Sequence, residues 1–535
     1  MKASVWRFLL IALCARTLHA QATRGVVLDS ASHQPIPGAV VTFLDVSRHT
    51  LARTITSQAG TFAFALPLAT RVRVVRLGFH PREIDLTTAS TSKSLEIVMS
   101  ALSQLLEPIR VDDDSPCPRR SDSHAAIALW EQAKSGLLAT VVARQELPAI
   151  MTNLTYTRPI EGNSDRYREQ EVRIHKGNAA SSFRAKPSIS EFEQTGFVRR
   201  GPDGDLFFGP DAETLLNDAF MRNYCLSLAA LDKERPALAG VSFVPARRNR
   251  ERVDISGAIW IDTVHRTLDR IEFRYIGLDP ESDRYRPGGE LIFREVRPGV
   301  PQIERWFLRT VVDRTNPVRT TSGGPKRFEV RESGGELARA NWNDGTSWKA
   351  PLGGARVHAT TKSGGPLVRA TLGLSGTDYV ATTDSTGTAQ FIDLLPGPYR
   401  VAAIDSMMAM LGIHGQTDAR FVAARDSISE LSIVVPSPSE AVDAACRQNG
   451  LWTAGSYALL VQVVNATGSP VAGARWSLSV GRTTGVTGSN GVFQYCFDLE
   501  PGKIVGISVS RGGELPTTVT RTMTSRLTSV RIVLR

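Results

Sequence analysis

The sequence predicts a mainly β protein in which three small β-sandwich modules flank a central α+β block carrying a wide antiparallel sheet. Three observations lead there: a short pattern recurs three times, alternation of period two dominates, and only the central block shows helical spacing. The first copy reads Pro35-Ile36-Pro37-Gly38-Ala39, a strand from Val40 to Leu44, then Gln58-Ala59-Gly60 leading into Phe62, Phe64 and Leu66. The second reads Pro366-Leu367-Val368-Arg369-Ala370, then Asp384-Ser385-Thr386-Gly387 leading into Phe391. The third reads Pro470-Val471-Ala472-Gly473-Ala474, then Ser489-Asn490-Gly491 leading into Phe493, Tyr495 and Phe497. The offset from Pro366 to Gly387 equals that from Pro470 to Gly491.

At 535 residues the chain is long enough for several domains, each with its own core. Residues 1–22 read as a secretory signal: Lys2 and Arg7, an apolar run from Phe8 to Ala15, then Leu18-His19-Ala20-Gln21-Ala22. Cleavage after Ala20 or after Ala22 fits the small-residue rule. No later stretch approaches the roughly 20 apolar residues of a membrane-spanning helix. The expected address is therefore exported: periplasmic, outer-membrane associated or extracellular.

The first module occupies 23–100, with strands at Gly25–Asp29 and Ala39–Leu44, around Val72 and Val74, and at Leu95–Met99. A linker covers 101–123, punctuated by Asp112-Asp113-Asp114-Ser115-Pro116. The central block spans 124–317. Ile127, Trp130, Ala133, Leu137 and Val141 recur at helical spacing and predict an amphipathic helix over 124–145. Strands follow at 150–156 and 168–174, then a second helix from its N-cap Asp211 toward Cys225. Long strands at 257–262, 268–275, 289–294 and 303–312 form a meander with one apolar face. The Gly, Ser, Thr and Asn content of 318–352 predicts a linker, after which the second sandwich runs 353–436. A third linker, 437–454, precedes the last sandwich at 455–535.

The first module resembles the carboxypeptidase regulatory-like domain, a transthyretin-like seven-stranded sandwich. The resemblance rests on the Gly25-Val26-Val27-x-Asp29 opening, Pro35-Ile36-Pro37-Gly38-Ala39, the Gly60-x-Phe62 turn and Leu77-Gly78-Phe79. It implies a sandwich fold and names no activity. The same domain often fronts outer-membrane uptake receptors. The central block loosely resembles periplasmic lipoprotein-carrier folds through its strand rhythm and two tryptophans.

Removal of the signal leaves Cys117, Cys225, Cys446 and Cys496, an even number for an oxidising compartment. Of three pairings, Cys117 with Cys225 and Cys446 with Cys496 keeps each bridge within or beside one domain. Phe493, Tyr495 and Phe497 share one strand face, so Cys496 points to the other, toward the Cys446 segment.

Candidate chemistry is sparse. His80-Pro81-Arg82-Glu83 has the spacing of a zinc-ligand pair, but it lies inside a sandwich module and catalytic zinc needs three protein ligands. The other histidines, among them His33, His49, His124, His175, His265, His358 and His414, stand apart from any His or Cys. No Gly-x-Ser-x-Gly elbow, phosphate loop or dinucleotide fingerprint occurs. The formal charge of +10 is spread along the chain, densest at Arg247, Arg248, Arg250 and Arg252, which read as a solvated hairpin loop.

The expectation is a non-catalytic exported cell-envelope protein with no cofactor and no metal. Its sandwiches would serve as structural and interaction units toward other envelope proteins or glycans, with lipid as a further ligand and no nucleic-acid partner. A groove between helix 124–145 and strands 257–312, lined by Trp130, Trp260 and Trp306, is the expected apolar-ligand site. Carbohydrate binding through Trp452, Trp476 and Tyr495 is one alternative. A regulatory part of a peptidase or of an outer-membrane uptake system is the other.

Overall fold

The computed structural model describes residues 23–534 except 65–67, 87–93, 103–116, 118–122, 163, 179–181, 202–203, 248–251, 314–327, 404–418, 437–439, 441, 444–445, 448–455, 482 and 499–501. The expected signal 1–22 and Trp452 lie outside the described residues. Two compact units emerge: 1–153 with 175–348, and 154–174 with 349–535.

The first unit begins with β1 (Thr23–Asp29), β2 (Val40–Leu44), β3 (Thr50–Ile55), β4 (Thr61–Phe64), β5 (Arg71–Val75), β6 (Arg82–Asp85) and β7 (Leu95–Met99). They form two sheets, β4-β1-β7 and β3-β2-β5-β6. Strand alternation turns Val41, Phe43, Val72 and Val74 inward to meet Val27, Phe62 and Ile97 in one buried core. The Phe43 and Phe64 rings lie 4.4 Å apart at its centre.

Helix α1 (Ser123–Glu146) follows, then β8 (Ala149–Ile160), β9 (Glu171–Asn178), α2 (Ile189–Thr195), β10 (Val198–Arg199) and β11 (Leu206–Phe207). Next come α3 (Ala212–Leu215), α4 (Asp218–Asn223), β12 (Tyr224–Leu228), β13 (Leu238–Pro245), β14 (Asp254–Asp262) and β15 (Thr267–Ile276). The series ends with α5 (Pro280–Asp283), β16 (Gly288–Arg297), β17 (Val300–Asp313), β18 (Phe328–Trp342) and β19 (Ser347–Lys349). The large antiparallel meander runs β12-β13-β14-β15-β16-β17-β18 and continues to β8 and β9, with β19 paired to β18.

Two sequence expectations need correction here. Asp211 does cap a helix, its carboxylate accepting from Thr214 N–H at 2.9 Å, but that helix stops at Leu215. Asn217 caps a second short helix, and Cys225 lies in β12. The stretch 318–352, expected to be linker, contains the 15-residue strand β18. Its Gly334 and Gly335 disguise it, yet they pair in register with Phe307 and Trp306 of β17. Its charged residues are also accommodated, since Glu332 is buried and accepts from Arg309 at 2.9 Å.

Helix α1 is not amphipathic as expected; it is apolar on two sides because both are covered. Leu129, Trp130, Ala133 and Leu137 enter the core of the central sheet with Phe220, Ile271 and Trp306. Ala139, Val142 and Ala143 pack with Val40, Ile55 and Val75, which alternation turns to the outside of the first sandwich, and with Val300. A helix carries an apolar stripe on each side that it buries.

The second unit contains β20 (Gly353–Thr360), β21 (Thr371–Leu374), β22 (Val380–Thr382), β23 (Thr388–Leu394), β24 (Gly397–Ala403), β25 (Ala419–Ala423) and β26 (Ile428–Val434). It closes with β27 (Tyr457–Val464), β28 (Arg475–Leu478), β29 (Thr484–Val486), β30 (Val492–Phe497), β31 (Ile504–Ser510), β32 (Thr517–Thr522) and β33 (Leu527–Val533). Their sheets, β23-β20-β26 with β22-β21-β24-β25 and β30-β27-β33 with β29-β28-β31-β32, repeat the strand order of the first module. Both disulfides form as expected, Cys117–Cys225 and Cys446–Cys496, with Cα–Cα distances of 5.5 and 5.7 Å. Cys496 packs with Cys446, Val442 and Ala458, away from the core face of Phe493 and Phe497.

The recurring Pro and Gly have one physical cause in all three copies. Gly60, Gly387 and Gly491 each have positive φ and give their carbonyl to Val27, Ala359 and Val463, at 2.9, 2.8 and 2.8 Å. A Cβ there would meet those same residues' carbonyl oxygens at 2.7, 2.5 and 2.6 Å and the Pro35, Pro366 or Pro470 Cβ at 2.9 to 3.1 Å. A buried threonine stands four residues before each glycine. Thr56, Thr383 and Thr487 donate to the carbonyls of Ile36, Leu367 and Val471, at 2.7, 2.5 and 2.7 Å. The three threonine hydroxyl oxygens in turn accept from the N–H of Ala39, Ala370 and Ala474 at 2.9, 2.8 and 3.0 Å. The threonine therefore staples the Pro-x-x-x-Ala entry to the following hairpin.

Candidate functional site

The expected groove beneath the central sheet is filled. Trp130 and Trp306 both lie in the closed core, with Trp130 stacked against Phe220 at 6.3 Å and the Trp306 indole donating to the Ser182 carbonyl at 2.6 Å. Trp260 alternates to the opposite face, where it packs on Leu238 and Ala258 and donates to Glu272 at 2.9 Å. The three tryptophans do not share a site, because β14 turns Ile259 and Ile261 inward and Trp260 outward. Of the other aromatic candidates, Trp476 is stacked on Phe493 inside the third core at 4.3 Å, and Tyr495 packs against that core. Among the described residues no Phe, Tyr or Trp is exposed, and no cluster of three or more His, Cys, Asp or Glu could hold a metal.

An open cleft of about 580 Å³ lies elsewhere in the first unit, between the outer face of β3-β2-β5-β6 and helix α1. One wall follows from strand alternation. Since Val41 and Phe43 point into the sandwich, Val40, Thr42 and Leu44 point out, as do Arg73 and Val75 on β5. The apolar end of this face, Val40 with Ile55 and Val75, is clamped on α1. The polar end stays open and carries Arg53, Thr42 and Arg73. Thr42 pairs in register with Arg53 on one side and Arg73 on the other, so the two arginines flank one threonine. The facing wall uses one stripe of α1, Glu131, Lys134, Ser135, Leu138 and Val141, and the α3–α4 corner at Glu213, Leu216 and Asn217.

The charges of the cleft are mostly neutralised in place. Glu83 pairs with Arg48 at 3.2 Å and Arg71 at 3.7 Å, and Glu131 with Lys134 at 3.0 Å. Glu213 pairs with Arg144 and Lys186. Partial burial works to raise the Glu213 carboxyl, but hydrogen bonds and charge from Lys186 and Arg144 outweigh it and hold it below the ordinary range. Arg53 and Arg73 are exposed and, among the described residues, have no acidic partner. Thr42 between them is buried as a residue, and its hydroxyl, which lines the open cleft, forms no hydrogen bond among the described residues.

The His80-Pro81-Arg82-Glu83 stretch borders this cleft through Pro81 and Glu83, with Glu83 engaged by arginines. Of the densest basic run, Arg248 and Arg250 lie outside the described residues, while Arg252 pairs with Asp254 at 3.1 Å. The cleft arginines escaped the sequence reading because they come from two strands and gain meaning only beside α1. The available signal was Arg-Val-Arg-Val-Val at 71–75, a strand with one basic and one apolar face.

Residues 22–100 match the model of the carboxypeptidase regulatory-like domain. No curated protein matches the chain. Among solved structures, the Bacillus anthracis TIE protein is 9% identical with a TM-score of 0.15, the match covering 63% of each chain. GBS52, the minor pilin of Streptococcus agalactiae, is 14% identical with a TM-score of 0.14, over 34% of this chain and 94% of that one. The shaft pilin SpaA of Lactobacillus rhamnosus GG is 8% identical with a TM-score of 0.14, over 35% of this chain and 98% of that one. Superpositions this poor bear on neither the activity nor the partners of the chain.

Proposed function

We propose that this is a non-catalytic, exported cell-envelope protein whose regulatory-like domain, fixed against helix α1, presents the cleft as a docking site for another envelope protein. The observation that carries the reading is the cleft itself: a fixed wall-to-wall geometry with two arginines left without acidic partners. The export part is supported by the basic, apolar and small-residue order of the first 22 residues and by two disulfides, which persist in oxidising compartments. The repeated sandwiches would act as structural units of the chain. Glycan binding lacks support from the described aromatic residues, none of which offers an exposed stacking face.

The test is photo-crosslinking in intact cells. A crosslinking amino acid at Thr50, which lines the cleft, should trap an envelope protein that the same group at Leu515, an exposed residue of the second unit outside the cleft lining, does not. Equal adducts from both positions, or none from Thr50, contradict the reading.

A further inference from the structure

We propose that the cleft recognises an aliphatic peptide segment ending in a free carboxylate, held by Arg53 and Arg73 across Thr42. This deepens the docking reading above and rests on it.

The anion preference follows from the inventory of charge. Every acid lining the cleft already has a cation: Glu83 has Arg48, Glu131 has Lys134, and Glu213 has Arg144 and Lys186. Arg73 lies opposite Glu83 in register, but the Glu83 carboxylate is engaged by Arg48 and Arg71. Two cations therefore remain, on either side of one strand and about 10 Å apart at the backbone. Long arginine side chains can converge over Thr42 from that spacing, and a guanidinium fork matches carboxylate geometry. The free Thr42 hydroxyl offers a third donor at the midpoint.

The aliphatic preference follows from the rest of the lining. Leu44, Val75, Leu138, Val141 and Leu216 also line the cleft, and none of the lining residues is aromatic. Such walls take branched aliphatic side chains and give a sugar ring nothing to stack on. Thr50 and Asn217 also line the cleft; the Thr50 hydroxyl and the Asn217 amide N–H groups, its oxygen being taken by the Ala219 N–H, can serve a peptide backbone. A cleft of about 580 Å³ accepts a segment of a few residues.

Calorimetry on the full chain tests this with N-acetyl-Val-Leu-Leu as the free acid, the same peptide as its C-terminal amide, and dodecanoate. The acid should bind and the amide should bind roughly tenfold more weakly or worse, as expected for losing charge-assisted hydrogen bonds. R53Q and R73Q should each weaken the acid by about tenfold and leave the amide unchanged, while R420Q, at an exposed arginine of the second unit, should change nothing. Arg53 and Arg73 are exposed, so both variants should keep the parent unfolding midpoint, which is measured alongside. Equal binding of acid and amide overturns the proposal, as does an R73Q variant with parent affinity. Tighter binding of dodecanoate than of the peptide acid overturns the peptide assignment. If Thr50 still crosslinks a protein but the peptide acid does not bind, this inference fails while the docking reading stands.

Discussion

Gly38 and Gly299 meet backbone to backbone, closely enough that a Cβ on Gly38 would fall 1.8 Å from the Gly299 carbonyl oxygen and one on Gly299 would fall 2.3 Å from that of Pro37. Both have positive φ, at 71° and 73°. Gly38 lies in the turn two residues before β2 of the regulatory-like domain, and Gly299 lies in the β16–β17 turn of the central sheet. Around them Arg76 pairs with Glu295 at 2.9 Å, and Gln132 of α1 accepts from Gly78 N–H at 2.8 Å. The first sandwich is thus joined to the central sheet by backbone fit, an ion pair and a helix shared by two cores.

Alanine at Gly299 should therefore destabilise the first unit by roughly 2 kcal/mol or more, combining left-handed strain with a backbone clash. Gly512→Ala, in an open turn where a Cβ would meet nothing within 4 Å, should show only the backbone part of that cost. Urea unfolding midpoints of the two variants measure the difference.

The threonine staples make a second prediction. Thr487→Val keeps the shape but removes the acceptor of the Ala474 N–H and the donor to the Val471 carbonyl. With both partners buried, the expected loss is about 1–3 kcal/mol, read as a lowered unfolding midpoint of the third sandwich. Thr467, whose side chain only tightens an exposed turn, should tolerate the same change with a much smaller effect.

Reduction should act unequally. Chain entropy assigns about 4–5 kcal/mol to the Cys117–Cys225 loop, with a separation of 108 residues, and about 4 kcal/mol to Cys446–Cys496, with a separation of 50. Because α1 belongs to two cores, loss of Cys117–Cys225 should loosen the first sandwich together with the central sheet, although that sandwich has no cysteine. The cysteine-free stretch 353–436 should keep its protease resistance. Limited proteolysis with and without reductant reads both outcomes.

Asp344 provides the pH dependence. A hydrogen bond from the Thr346 hydroxyl, then one from the Thr346 N–H and the charge of Arg297, lower its carboxyl from 3.8 to about 2. The folded value lies below the unfolded one, so its contribution to stability is present above about pH 4 and disappears as pH falls toward 2. Carbon-detected titration of Asp344 should show the low midpoint, and Thr346→Val should move it back upward. An unchanged midpoint in the variant rejects the hydroxyl as the main cause.

Much of this was legible from residues alone. The Pro and Gly positions mark the repeat because the fold presses them together in every copy, and the cysteines pair as chain proximity suggests. Asp211 announces its cap through a local bond. What was not legible depended on distant partners. Trp130 and Trp306 look like groove residues until the aromatic cluster of Phe192, Phe197 and Phe220 closes over α1. The charges and glycines of β18 read as linker because their register with β17 is invisible locally. Arg53 and Arg73 become a pair only when Thr42 is placed between them.

Native-state hydrogen exchange tests most directly whether the regulatory-like domain, α1 and the central sheet behave as one body that holds the cleft open. The amides to follow are Val41 and Val74 in the first sandwich, Leu137 in α1, and Ile271 and Leu291 in the central sheet, all buried. Joined as described, they should share one slowest opening free energy, and Gly299→Ala should lower it for all five together. A first sandwich that opens separately, with Val41 and Val74 lowered while Ile271 and Leu291 stay unchanged, would contradict the account.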